Sequence, residues 1–572
     1  MLRRQVLALL AGLLLLGCSA AAQVAPPTDE KPAARQPVYV LLFGSFRDHF
    51  NLNFAEESLQ RSLAVVQHYR NALPQYRASV LLQFSGTVSE ELANRNGANH
   101  LVDRIRNDAR RGIIEVGYDG LEEPTFVMRP RPNFRQARTA PQRWLARSEA
   151  AEWFLTEHKD FRWGEPDPSR SGGLKKMQEV FGEAAAISGV SLELGGDPEI
   201  VHLLRRFNTR ALLPGFPEPA TYPARTLHGY RGSVAGVSSL MSPEKDCAPE
   251  VFWQDNVLRV SDTSGPNVRV VVAHQGLAAL KDVLEKLDRS RVHVVKVQLG
   301  HPALYMRPDF AKGRYATPLD YAYENPKALV LPEEARQPRS ELDAAFAHEE
   351  SIVKWLAENF FPDNPGSRFV SSEDLRQMAR THTNSNIARP LLASAAANLL
   401  EQWNAQGNHP PSFAHADEDY FSLADMFQML VSALAEFHRT GSLPESVRLN
   451  PLYGPVDMPE DQGPALGEIT VGSVARICAE IEPGLNNQAW KPVPDNAVPG
   501  WVTVEDSQLN AAQFLRLMAE AYASPTADKK LSVKTSQMYS PAGEGFPRSR
   551  LRSEVGSTWT LKPAKLRAVP NP

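Results

Sequence analysis

Cysteine is nearly absent from this chain: Cys18, Cys247 and Cys478 are all that its 572 residues contain. A disulfide-stapled framework is therefore excluded, because such scaffolds need several paired cysteines in a short chain. With Cys18 set aside, Cys247 and Cys478 allow one disulfide at most, and their wide separation in sequence leaves pairing and free thiols both open. Neither lies near a His and Cys set with zinc spacing, so no cysteine-based metal site is expected. Charge of one sign is also lacking: 62 basic against 66 acidic residues leave a formal charge of -4. Nucleic acid is thus not an expected partner, since phosphate binding relies on concentrated Lys and Arg. Long apolar runs are missing after the first few residues, which excludes a later membrane-spanning helix, because a span takes about 20 apolar residues.

What is present begins at the N-terminus. Arg3 and Arg4 precede an apolar run from Val6 to Leu16 that closes in Leu15-Leu16-Gly17-Cys18. The run is too short to span a bilayer, and its charged start and small residue at the cut read as a secretion signal. The closing tetrapeptide resembles the bacterial lipobox, which implies a signal peptide over 1–18 and a lipid on Cys18 that anchors the protein to a membrane of the cell envelope. Ser19 stands where inner-membrane retention would call for aspartate, so the outer membrane is favoured. Residues 19–36 are small, polar and proline-punctuated, as a flexible tether would be.

The remaining length and an apolar content of 42% predict two or three folded domains. Val38 to Phe43 is a continuous apolar strand, the kind buried on both faces. Helical and strand patterns then alternate through 54–69, 78–84, 98–110 and 112–116, and on to a second dense strand at Val292 to Leu299. That alternation predicts an α/β domain over about 37–380. From about 381 to 525 the pattern is mainly helical. Ser422 with Asp425, and Asn510 with Gln513, are capping pairs ahead of amphipathic stretches, and Gly441 and Pro444 supply a helix stop. Residues 526–572 are polar and basic, and are expected to be flexible.

The segment Glu115-Val116-Gly117-Tyr118-Asp119-Gly120-Leu121-Glu122-Glu123-Pro124 follows a short strand. It resembles the second motif of the polysaccharide deacetylase family, in which a strand carrying E-x-G leads to two metal-binding histidines four residues apart and then proline. Asp119 and Glu123 occupy the two ligand positions here. The resemblance implies a distorted seven-stranded (β/α) barrel over 37–380 and the hydrolysis of N- or O-acetyl groups on a polysaccharide. Two carboxylates in place of imidazoles would favour a hard divalent metal such as magnesium, calcium or manganese, or would act as an acid and base pair on a sugar. An acidic surface loop without function is the plain alternative.

The family's first motif places aspartates at the end of the first strand; here that end reads Phe43-Gly44-Ser45-Phe46-Arg47, so the acidic pair is displaced or missing, and Asp48 and His49 follow a few residues beyond. The resemblance implies a base at Asp48 and a metal ligand at His49. Gly300-His301-Pro302, after the strand 292–299, resembles the family's later histidine motif, which implies a general acid at His301. Trp253 and Asp255 are candidate sugar contacts. Further on, Phe421 to Val447, with G-S-L-P-E-S-V, and Val502 to Tyr522, with F-L-R-L-M-A, resemble the two ends of a pseudomurein-binding repeat, which implies that the helical domain holds wall glycan. Three functions follow: an envelope polysaccharide deacetylase, an inactive glycan-binding or scaffold lipoprotein that has lost its metal site, or a glycoside hydrolase on a related barrel.

Overall fold

In the computed structural model, the described residues are 35–46, 52–119, 173–182, 276–287, 292–300, 331–378, 384–450, 467–487 and 496–538, with short pieces between them and at 559–568. The first domain is built on one sheet. Its strands are β1 (Val38–Phe46), β2 (Val80–Phe84), β3 (Ile114–Asp119), β4 (Ile187–Ser191), β5 (Ala211–Leu212), β6 (Ala248–Gln254), β7 (Val257–Val260), β8 (Val268–Val272), β9 (His293–Leu299) and β10 (Arg368–Phe369). The sheet runs β8-β9-β1-β2-β3-β4-β5-β7-β6, with β10 beside the start of β1. Every neighbour from β8 through to β7 is parallel, and β6 closes the far edge as an antiparallel hairpin with β7.

The order of the parallel strands is sequential once it is read as a cycle starting at β1: β1, β2, β3, β4, β5, β7, β8, β9. A doubly wound sheet would reverse direction at a switch point; this one does not. Among the described residues no ladder joins β7 to β8, because β7 is occupied on both edges, by β5 and β6. The result is a mixed α/β fold on a mainly parallel sheet.

Alternation along the strands separates two faces. Val38, Val40, Leu42 and Phe46 of β1, Val80, Leu82 and Phe84 of β2, and Val295, Val297 and Leu299 of β9 share one core. The helices α1 (Leu52–Ala72), α2 (Gly86–Asn99), α3 (Leu101–Arg110), α4 (Gly173–Phe181), α5 (Leu277–Glu285) and α6 (Arg339–Trp355) supply the rest of it, for example Leu59, Leu63, Leu92, Ile105, Met177, Leu280 and Ile352. Sequence pattern placed one helix over 98–110. Two helices stand there, separated at His100, whose φ of 53° breaks the first. Ser85 caps α2 by accepting from the Val88 amide, and Asn96 accepts from the Val102 and Asp103 amides at the start of α3.

The second domain contains two copies of one arrangement. In the first, a strand β11 (Asn386–Ala388) leads into α8 (Arg389–Ala405), a hairpin of β12 (Phe413–Ala416) and β13 (Asp419–Ser422), then α9 (Leu423–Thr440) and β14 (Ser446–Arg448), which pairs back with β11. In the second, β15 (Glu468–Thr470) leads into α10 (Val471–Leu485), the hairpin of β16 (Trp501–Val504) and β17 (Ser507–Asn510), then α11 (Ala511–Ala523) and β18 (Lys530–Ser532), which pairs back with β15. Phe413, Asp417 and Ser422 correspond to Trp501, Glu505 and Asn510 at one constant offset. Both hairpin turns carry a residue at φ 52°, and both second helices start in a complete capping box. The two segments resembling the ends of one repeat are thus matching parts of two copies. All four helices share a single core.

Beyond residue 525, where a flexible tail was expected, β18 completes the second copy. Val533, Met538 and Trp559 are buried, and the Trp559 indole donates to the Met538 carbonyl at 2.9 Å. Lys562 pairs with the buried Asp425. Pro563–Ala564, here β19, then adds to the edge of the first domain's sheet beside β6.

Candidate functional site

Parallel strands end at one edge of a sheet, and in α/β folds that edge collects sites. Here β9, β1, β2 and β3 end side by side at Leu299, Phe46, Phe84 and Asp119. The backbone of Asp119 is the last position of β3 and pairs with Ser191 of β4. Gly300 directly follows β9. It has a φ of 64°, a left-handed conformation in which a side chain is strained. A Cβ there would also lie 2.6 Å from the Ser58 hydroxyl of α1.

One carboxyl holds this turn. Glu349 of α6 is fully buried and its Oε1 accepts from the Gly300 amide at 2.8 Å. Burial away from water pushes its pKa up to about 8; the Gly300 hydrogen bond opposes that shift and the nearby Glu350 adds to it. At neutral pH the group is therefore mostly a neutral acid wedged between helix and strand end. Glu349 occupies a core position on α6, in line with Leu342, Phe346, Ile352 and Val353. A charged residue inside that periodic apolar face was the signal available in sequence.

The sheet face opposite α1 to α6 is more polar than its sequence suggested. Lys296 and Gln298 of β9, Ser45 of β1 and Gln83 of β2 all lie there, and all are buried. The register sets Gln298 beside Phe43 and Gln83 beside Ser45. The Lys296 ammonium sits 5.2 Å from the centre of the Phe43 ring. Glu115 of β3 lies on the same face. Its two oxygens accept from the amide and the hydroxyl of Ser372, each at 2.7 Å, at the start of α7 (Ser372–Met378). A carboxylate at a helix N-terminus satisfies amides that have no partner within the helix. The glutamate of the E-x-G motif thus ties the segment after β10 to the sheet. Arg368 on β10 pairs with Asp374 at 3.4 Å and lies over the Tyr39 ring.

Of the residues singled out in sequence, Asp119 is brought to the strand ends. Trp253 lies in β6, opposite Leu258 in the antiparallel hairpin. Asp48, His49, Glu123, Asp255, His301, Cys18 and Cys247 lie outside the described residues. Cys478 is a buried free thiol in α10. Among the described residues no three His, Cys, Asp or Glu side chains form a group that could hold a metal ion, and no helix is long and apolar enough to cross a membrane.

No family model and no curated protein matches the chain. A solved structure, the 4-alpha-glucanotransferase from Thermococcus litoralis, is similar at a TM-score of 0.31 and 14% identity over 65% of this chain. The match spans 47% of that longer protein.

Proposed function

We propose that this chain is an envelope lipoprotein, anchored through Cys18 and favouring the outer membrane, whose first domain is a distorted seven-stranded barrel of the polysaccharide deacetylase type. It hydrolyses N- or O-acetyl groups on a cell-envelope polysaccharide while the helical domain holds the polymer. The observation that supports this most is the cyclic, sequential order of parallel strands, with Asp119 and the Gly300 turn at the same edge. In this reading Asp119, Glu123 and His49 take a hard divalent cation, Asp48 is the base and His301 the acid, and Trp253 and Asp255 contact sugar.

The test is metal analysis of the purified soluble protein alongside acetate release from acetylated chitooligosaccharides and peptidoglycan. The expected result is stoichiometric metal and acetate release, both lost in Asp119→Ala. A second reading, an inactive glycan-binding or scaffold lipoprotein, draws support from the carboxylates that stand where the family has histidines. Glycan retention in pull-down with neither metal nor turnover would select it. Chain cleavage without acetate release would instead select a glycoside hydrolase.

A further inference from the structure

We infer that the hairpin of β16 and β17 in the second copy is a docking surface for an extended polypeptide segment of another protein, one that carries an arginine beside aliphatic side chains. The hairpin of the first copy shows what such a surface holds. Its turn, Asp417-Glu418-Asp419, takes the guanidinium of Arg567 from the C-terminal segment: Nη2 donates to the Glu418 carbonyl at 3.0 Å and to the Asp419 carboxylate at 3.4 Å, and Nε lies 3.8 Å from the Glu418 carboxylate. The amide of the same arginine donates to the Met378 carbonyl at 2.9 Å, so the segment is held by its backbone as well. On the hairpin face turned away from the helical core, Phe413 and Tyr420 are buried, with their ring centres 5.8 Å apart.

The second hairpin keeps this arrangement but turns it to solvent. Trp501, Thr503 and Gln508 stand where the first copy has Phe413, His415 and Tyr420, and the register, with Thr503 opposite Gln508, sets them on one face. All three are exposed, as are Glu505 and Asp506 of the turn. Among the described residues Trp501 is the one large apolar side chain left exposed, at 37%. Ser507 replaces Asp419, so Glu505 and Asp506 carry the charge, and neither has an ion-pair partner among the described residues. An exposed indole beside two unpaired carboxylates offers to a partner in trans the apolar and acidic elements that the first hairpin uses in cis. The carboxylates select that partner, since they attract a cation whereas an uncharged glycan makes no use of them. Arginine suits the position better than lysine, because its planar fork lies on an indole while donating to carbonyl and carboxylate together. A face of this size supports a weak, exchangeable contact.

The experiment is fluorescence anisotropy of a labelled peptide with the sequence of Ala564 to Asn571, the segment that the first hairpin holds, titrated with the full chain. The proteins are the wild type, Trp501→Ser, and the double variant Glu505→Gln with Asp506→Asn. A control peptide carries citrulline in place of arginine, which keeps the shape and removes the charge. The wild type should bind the arginine peptide, Trp501→Ser should bind it about tenfold more weakly, and the double variant about threefold more weakly, as should the wild type with the citrulline peptide. Raising salt from about 0.05 to about 0.5 M should weaken wild-type binding as well. Thermal midpoints should be unchanged, because the substituted side chains are exposed. No binding by the wild type, affinity unchanged in both variants, or equal binding of the two peptides would each overturn the inference. So would binding of cellotetraose or N-acetylated chitotetraose that depends on Trp501 when the peptide does not bind, which would give the face to sugar. Acetate release and metal content are read separately, so this inference and the proposed function can each fail alone.

Discussion

Replacing Glu349 by glutamine should stabilise the protein in alkali and change little in acid. In the folded chain the carboxyl holds its proton up to a pH of about 8, against an ordinary value of 4.5, chiefly because burial penalises the charge. The unfolded chain releases that proton near the ordinary value. Between the two values the folded state binds more protons than the unfolded one, so stability falls as pH rises. The contribution of Glu349 is intact below 4.5 and is lost by the time pH has passed about 8. A gap of that width corresponds to on the order of 4 to 5 kcal/mol. Glutamine keeps an oxygen to accept from the Gly300 amide and has no proton to lose.

The assay is urea denaturation followed by circular dichroism, with the two chains paired at pH 4.5, 6, 7.5 and 9. Pairing removes the titrations that both share. The stability difference should be a constant offset at the acid end, grow in favour of Glu349→Gln through the neutral range, and level off above pH 8. A difference independent of pH would show that the carboxyl titrates normally. A variant less stable at pH 9 than at pH 4.5, relative to wild type, would refute the placement of Glu349 in an apolar interior.

Gly300→Ala should cost about 1 to 3 kcal/mol, because it adds a side chain in a left-handed turn and presses on Ser58; Gly300→Ala with Ser58→Ala should recover part of it in thermal melts, and no loss in the single variant would contradict the turn. Ser422→Ala and Asn510→Ala should each cost about 1 kcal/mol, since both caps close the same box in the two copies; markedly unequal costs would argue against equivalent helix starts. Lys562→Met strands the Asp425 carboxylate in the interior, at a cost of about 3 to 5 kcal/mol. Hydrogen exchange across α9 should accelerate, and unchanged protection would place the ion pair in solvent.

Local signals were legible where they were strong. The continuous apolar strands β1 and β9, the caps at Ser422 and Asn510 and the stop at Gly441 all stand where pattern put them. The break at His100 leaves no local signal, because the second helix is started by Asn96, a side chain inside the preceding helix. The polar inner face was hidden for a different reason. Lys296 and Gln298 alternate with Val295, Val297 and Leu299, and a few polar residues in a valine-rich run still read as an apolar strand. Glu349 falls among the buried positions of α6, where helical spacing from Leu342 and Phe346 already places it. The duplication leaves little trace in sequence, because aligned residues such as Phe421 and Leu509 share only apolar character and burial, and the buried Phe413 is matched by the exposed Trp501.

The C-terminal segment shows why composition misjudges a tail. Its residues are polar on average, and an average says nothing about three well-placed anchors. Trp559 enters the core of the helical pair. Lys562 meets the carboxylate that caps α9, so the ammonium is buried only where a partner already waits. Arg567 donates through its amide to the Met378 carbonyl at the end of α7 and through its guanidinium to Asp419 of β13. Between these anchors β19 lies along β6. The chain therefore leaves the sheet domain after α7, builds both helical copies, and returns to the edge of the sheet, so the two domains are joined at two places. Two connections and a buried ion pair remove the freedom that a single linker would leave.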